Sequence, residues 1–121
     1  PLSGYLLLAQ KLFVEGVKYS GAWNFGPDNI NNKTVKWIVE RISTLCNNDI
    51  DWSVSELPVI YESDYLALDC NKAKQELLWK PRLDLEKTLK WIIDWYIEYQ
   101  GKYHDMKSFT IEQIKQYELI Q

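Results

Sequence analysis

The 121 residues are 46% apolar and 26% charged with a formal net charge of −3, the composition of a soluble globular chain of single-domain length. This balance offers no basic surface to a phosphate backbone, which excludes nucleic acid as a partner. The longest apolar run, Tyr5 to Ala9, is far too short to cross a membrane, so the cytoplasm is the expected location.

Leu2, Tyr5, Leu6, Ala9, Leu12 and Phe13 recur at spacings of three and four, which predicts a helix with that face turned inward and Ser3 as its N-cap. A helix so close to residue 1 implies that further structure precedes it. Beyond Gly16 and Gly21, Ala22-Trp23-Asn24-Phe25 ahead of Gly26-Pro27 reads as a buried strand stopped by a turn. Thr34 caps a second helix whose inner face is Val35, Ile38, Val39, Ile42 and Leu45. Ile50, Trp52 and Val54 alternate with polar residues as a half-buried strand does, Leu57 to Asp64 reads as an exposed loop, and Tyr65 to Leu68 as another short strand. Asp69 or Asn71 caps a short helix that turns Ala73 and Leu77 inward and ends before Pro81.

Asp84 opens the longest helix. Leu85, Leu89, Ile92 and Tyr96 form one stripe on it while Trp91, Ile93, Trp95 and Ile97 lie off that stripe, an apolar arc too wide for a helix with one wet side. Thr110-Ile111-Glu112-Gln113 fits a capping box for a C-terminal helix over 109–121 that carries Ile114 and Tyr117. The whole reads as one domain over 1–121, a small mixed α/β, helix-rich assembly with very little sheet of its own.

Reactive side chains are sparse. Cys46 and Cys70 stand apart, which argues against a disulfide framework and for two small buried side chains, and with the single histidine they make no zinc set. His104 beside Asp105 could orient a base, but no nucleophile motif accompanies it, and it reads as a solvated loop residue. The glycines fall into neither phosphate-binding fingerprint, so neither a catalytic nor a cofactor-binding residue is expected in this chain, and no metal ligand. The candidate binding residues are Glu62 and, more weakly, Tyr61, in the loop before the Tyr65 strand: a carboxylate able to accept from ribose hydroxyls and a ring able to pack on a base or sugar, against the alternative of a solvated acidic loop.

Several stretches together resemble the C-terminal region of the extended short-chain dehydrogenase/reductase family that acts on nucleotide sugars. They are Trp23-Asn24-Phe25-Gly26-Pro27 with the helix from Thr34, then Leu68-Asp69-Cys70-Asn71-Lys72-Ala73-Lys74 with Leu77, Trp79, Lys80 and Pro81, and the helix from Leu85 through Trp95-Tyr96. The opening Pro1 to Ala9, the Ala22 to Pro27 segment and the tail Met106 to Glu118 narrow the likeness to one of the family's dehydratases. The resemblance implies a substrate-binding lobe of a Rossmann enzyme whose dinucleotide-binding core lies outside this chain. It further implies a nucleotide-sugar substrate bound through Glu62, NAD held by the missing N-terminal domain, and a homodimer formed through that part. The family's Tyr-x-x-x-Lys pair matches no position here, so the fragment alone is expected to be inactive. An epimerase lobe, a dehydratase for another sugar nucleotide, and a free-standing interaction module presenting the Leu85 to Tyr99 helix are the competing readings. Two departures stand out: Leu78 replaces the glycine that usually ends the short helix, and Tyr61 stands where a histidine commonly precedes the glutamate.

Overall fold

The computed structural model describes residues 1–28, 32–54, 67–101 and 105–120. They form five α-helices and one 3₁₀ turn: α1 (Leu2–Glu15) with the turn Gly16–Tyr19, α2 (Val35–Leu45), α3 (Asn71–Glu76), α4 (Leu85–Gln100) and α5 (Met106–Glu118). No strand occurs among the described residues, which corrects the mixed α/β expectation to a helical one. The chain divides into two compact units, the first built from Pro1–Asn32 and Ser63–Pro81, the second from Lys33–Glu62 and Arg82–Gln121.

The first unit is organised around an aromatic core. Tyr19, Phe25, Cys70, Ala73, Leu77 and Trp79 are buried together, with Leu7, Leu8 and Trp23 packed against them. Trp79 meets Phe25 edge to face at 5.1 Å and Phe25 meets Tyr5 the same way at 5.3 Å, the arrangement that the quadrupoles of aromatic rings favour. The indole N–H of Trp79 donates to Ser3 Oγ at 3.0 Å, so the buried ring has its one polar atom satisfied. Ser3 thereby serves the core and not the predicted cap; α1 starts at Leu2 with no side-chain cap. Gly4 lies directly under the Phe25 ring, where any β-carbon would overlap ring atoms, so this glycine permits the close approach of helix and ring.

Two further expectations for this unit are overturned. The face of α1 that turns inward carries Gly4, Leu7 and Leu8, while the predicted stripe of Leu2, Tyr5, Leu6, Ala9, Leu12 and Phe13 is exposed. The helix is apolar nearly all round, so spacing shows which residues share a face but not which face the core takes. The Trp23–Phe25 segment is buried at Phe25 as foreseen, yet it makes no ladder. Its neighbours hold it through side chains instead: Asn24 Nδ2 donates to the Asp69 carbonyl at 3.1 Å, Lys72 Nζ to the Ala22 carbonyl at 3.3 Å, and Trp23 Nε1 to the Tyr19 carbonyl at 2.9 Å.

The short helix α3 turns Ala73 and Leu77 inward and stops short of Pro81, as its sequence requires. Leu78 follows with φ of 54°, the left-handed conformation that a β-carbon disfavours. The turn is thus retained without its usual glycine. The amides of Leu77 and Trp79 both donate to the Ala73 carbonyl and close the helix end. Since the Leu78 side chain is 85% exposed and packs on little, Leu78→Gly should raise stability by about 1 kcal/mol, read as a rise in the urea midpoint. An unchanged or lower midpoint would show that the side chain contributes something its exposure conceals.

In the second unit the caps of α2 and α4 are where the sequence puts them. Thr34 Oγ1 accepts from the Trp37 amide and Asp84 Oδ1 from the Lys87 amide, starting α2 and α4. Asn47 and Asn48, both left-handed, end α2. Leu89 and Ile93 are the buried positions of α4; Ile92 and Tyr96, predicted in the stripe, are exposed. Trp91 and Trp95 are half-buried and serve α5: Trp95 Nε1 donates to Thr110 Oγ1 at 3.0 Å and Gln113 Nε2 to the Trp91 carbonyl at 3.0 Å. The wide arc of α4 therefore has two partners within this unit, α2 and α5.

Three readings need correction here. Ile38, Val39, Ile42 and Leu45 are half-buried on α2, but Val35 is 77% exposed, because it lies in the first turn. Ile50, Trp52 and Val54 are all exposed and belong to no strand, so their alternation does not report burial. Helix α5 begins one turn earlier than the Thr110 box implies, since Asp105 caps it through the amides of Lys107 and Ser108, and Thr110 Oγ1 instead donates to the Met106 carbonyl inside the helix.

Candidate functional site

The first unit carries a shallow depression of about 270 Å³ lined by Pro27, Ala67, Leu68, Asp69, Cys70, Asn71 and Lys74. Two segments build it: the turn after Phe25 and the start of α3. Gly26 sits beneath Leu68 and the Cys70 thiol, where a β-carbon would press on Leu68, so the two segments approach closely. Asp69 Oδ1 accepts from the Asn71 amide at 2.9 Å and fixes the entry to α3. Lys74 reaches across to the Asp28 carboxylate in a short ion pair, and that hydrogen bond holds the ammonium above the ordinary lysine range. Beside it, the Lys72 ammonium lies 4.1 Å from the centre of the Trp23 ring, within cation–π distance.

Chemically the depression offers carbonyls, an amide and a cation already neutralised by Asp28. It suits hydroxyl groups better than a phosphate. Nothing near Asp28 in the sequence signals its pairing with a residue 46 positions on. Asn24 and Lys72, by contrast, belong to the segments that carry the family resemblance, and the structure gives them positioning roles: they hold the Trp23–Pro27 segment against α3.

The second unit has a groove of about 390 Å³ between α4 and α5, lined by Trp91, Asp94, Ile97, Glu98, Phe109, Glu112, Gln113 and Gln116. Its three carboxylates include Asp94, which pairs with Lys90 at 2.7 Å. Like charges of this sign repel a diphosphate.

Glu62 and Tyr61, the candidate binding residues, lie outside the described residues, as does His104. Asp105, the other half of the His-Asp reading, spends its carboxylate on the α5 cap: it accepts from the Ser108 hydroxyl at 2.6 Å and from the Lys107 and Ser108 amides, and these bonds lower its pKa. Cys70 is buried with its thiol directed to the Leu68 carbonyl, whereas Cys46 is only half-buried, and both are free thiols. No group of three His, Cys, Asp or Glu side chains among the described residues is placed to hold a metal ion. No helix among them is long and apolar enough to cross a membrane.

No protein-family model matches the chain. Over 96 residues, 79% of its length, the chain is 45% identical to the CDP-glucose 4,6-dehydratase of Salmonella typhimurium, and the aligned stretch is 27% of that protein. The match falls in that enzyme's C-terminal region, so the chain spans about a quarter of the length of the curated relative it matches. CDP-glucose 4,6-dehydratase is also the member of the nucleotide-sugar family to which Pro1 to Ala9, Ala22 to Pro27 and Met106 to Glu118 point. By sequence, therefore, this chain is a relative of the C-terminal part of CDP-glucose 4,6-dehydratase.

Proposed function

We propose that this chain is the substrate-binding C-terminal lobe of a cytoplasmic, NAD-dependent CDP-glucose 4,6-dehydratase, an extended short-chain dehydrogenase/reductase that converts CDP-glucose to CDP-4-keto-6-deoxyglucose in deoxysugar biosynthesis. The observation that carries the reading is the 45% identity across four-fifths of the chain to an enzyme of that name. In this reading Glu62 accepts from the ribose hydroxyls of the nucleotide, Tyr61 packs beside it, and the hydroxyl-suited depression at Asp69 and Asn71 belongs to the same lobe.

In this reading NAD is held outside this chain. A dinucleotide site needs closely spaced glycines that let a pyrophosphate approach a helix N-terminus; the glycines here are scattered, and Gly4 and Gly26 serve packing, against Phe25 and against Leu68 and Cys70, which supports that placement. The cofactor accordingly belongs to the Rossmann domain outside this chain, together with the acid–base groups, and this lobe binds and orients the sugar nucleotide. A homodimer, if formed, uses that same part.

The competing readings keep the lobe and change the donor to GDP-mannose, dTDP-glucose or a UDP sugar, or make the chain an interaction module. Calorimetric titration of the full gene product with the four sugar nucleotides separates them. CDP-glucose should bind at least tenfold tighter than the others, a difference of about 1.4 kcal/mol. Tighter binding of another nucleotide reassigns the substrate, and no binding by any of them favours the module.

A further inference from the structure

We infer that the outer face of α1 is a docking surface for the polypeptide that precedes it in the full enzyme, an inference that rests on the chain being one lobe of a longer protein. Leu2, Leu6, Ala9 and Phe13 recur at spacings of four, three and four and line one side of the helix, and Val17 continues the patch from the following turn. Phe13 is 92% and Val17 90% exposed, with Leu2 and Leu6 not far behind. The opposite side of the helix, which faces the core, carries both of its charged residues. Lys11 and Glu15 pair there at 2.8 Å, and Lys18 joins Glu15 at 2.7 Å.

The helix is thus inverted with respect to water: its ion pairs are partly covered by its own unit and its apolar stripe is bare. A helix meant for solvent places charges outward, and a contiguous apolar patch of this kind marks an interface. The occupant follows from the comparison. The matched stretch is the C-terminal region of an enzyme of which it makes up 27%, so most of that enzyme's remaining length lies on the N-terminal side of α1. The chain that leads into Leu2 enters at the end of this stripe, and its apolar surface is the cover that the stripe lacks.

Hydroxyl-radical footprinting of the full gene product tests this without any substitution. Trypsin releases a peptide of residues 12–18, which holds Phe13, Val14 and Val17 together. Burial of these side chains should slow oxidation of the peptide at least about fivefold in native buffer relative to urea, and the protection should survive dilution. A native rate within about twofold of the unfolded rate would overturn the proposal, and so would protection that vanishes on dilution, which assigns the face to a second copy. CDP-glucose turnover measured on the same preparation keeps the two questions apart: turnover with an unprotected peptide removes the docking surface alone, and protection without turnover removes the assigned activity alone.

Discussion

Trp79→Ala should destabilise the first unit by about 3–5 kcal/mol, a loss comparable with the whole stability of many small domains. The indole is buried in the core, meets the Phe25 ring edge to face, and holds Ser3 at the start of α1 through its only ring N–H. Truncation removes the ring, opens a cavity in the core, and leaves Phe25 with Tyr5 but without the other of its two ring partners. The measurement is urea unfolding followed by circular dichroism, which does not depend on the tryptophan removed. Trp79→Phe serves as the control: it keeps an aromatic ring beside Phe25 and gives up the hydrogen bond to Ser3, and it should cost appreciably less than the alanine variant. A loss below about 1 kcal/mol for Trp79→Ala would mean that the ring is not packed as described.

The second large effect concerns binding. If Glu62 accepts from the ribose hydroxyls, Glu62→Ala in the full gene product should weaken CDP-glucose affinity by about 1.5–3 kcal/mol, roughly ten- to 150-fold, the range for a hydrogen bond to a charged group. Calorimetry reads this directly. Glu62→Gln should retain part of the affinity, because the amide oxygen still accepts while the charge is lost. Tyr61→Phe keeps the ring and should change little. Unchanged affinity in Glu62→Ala removes that residue from the site without touching the assignment of the lobe.

How much of this was legible in the sequence depends on the range of the interaction involved. Caps act within four residues, and Thr34 and Asp84 are where local chemistry places them. Asp105 escaped notice because Thr110, five residues on, offers an equally good box, and only the contact between Trp95 and Thr110 shows which residue is free to cap. The inward face of α1 could not be read from spacing, since Leu7 and Leu8 interrupt the polar side; what selects it is Gly4, which alone lets the helix meet Phe25 closely.

The strands failed for a related reason. Trp23-Asn24-Phe25 has strand composition, but a strand needs a neighbour, and here side-chain-to-carbonyl hydrogen bonds with residues more than forty positions away take the place of a ladder. The family signature was legible and proves to be largely architectural. Asp69 and Lys72 hold the Ala22–Asn24 stretch ahead of Phe25, Ala73 and Leu77 fill the core, and Trp79 closes it. Leu78 shows the strength of that architecture, for the left-handed turn persists where glycine is gone.

The deciding chemistry is that of the full gene product. Incubated with CDP-glucose and NAD, it should yield a nucleotide sugar lighter by one water and carrying a ketone, seen by mass spectrometry, while the 121-residue chain alone yields none. Recovery of unchanged CDP-glucose from the full protein, or the same product from this chain by itself, would contradict the assignment.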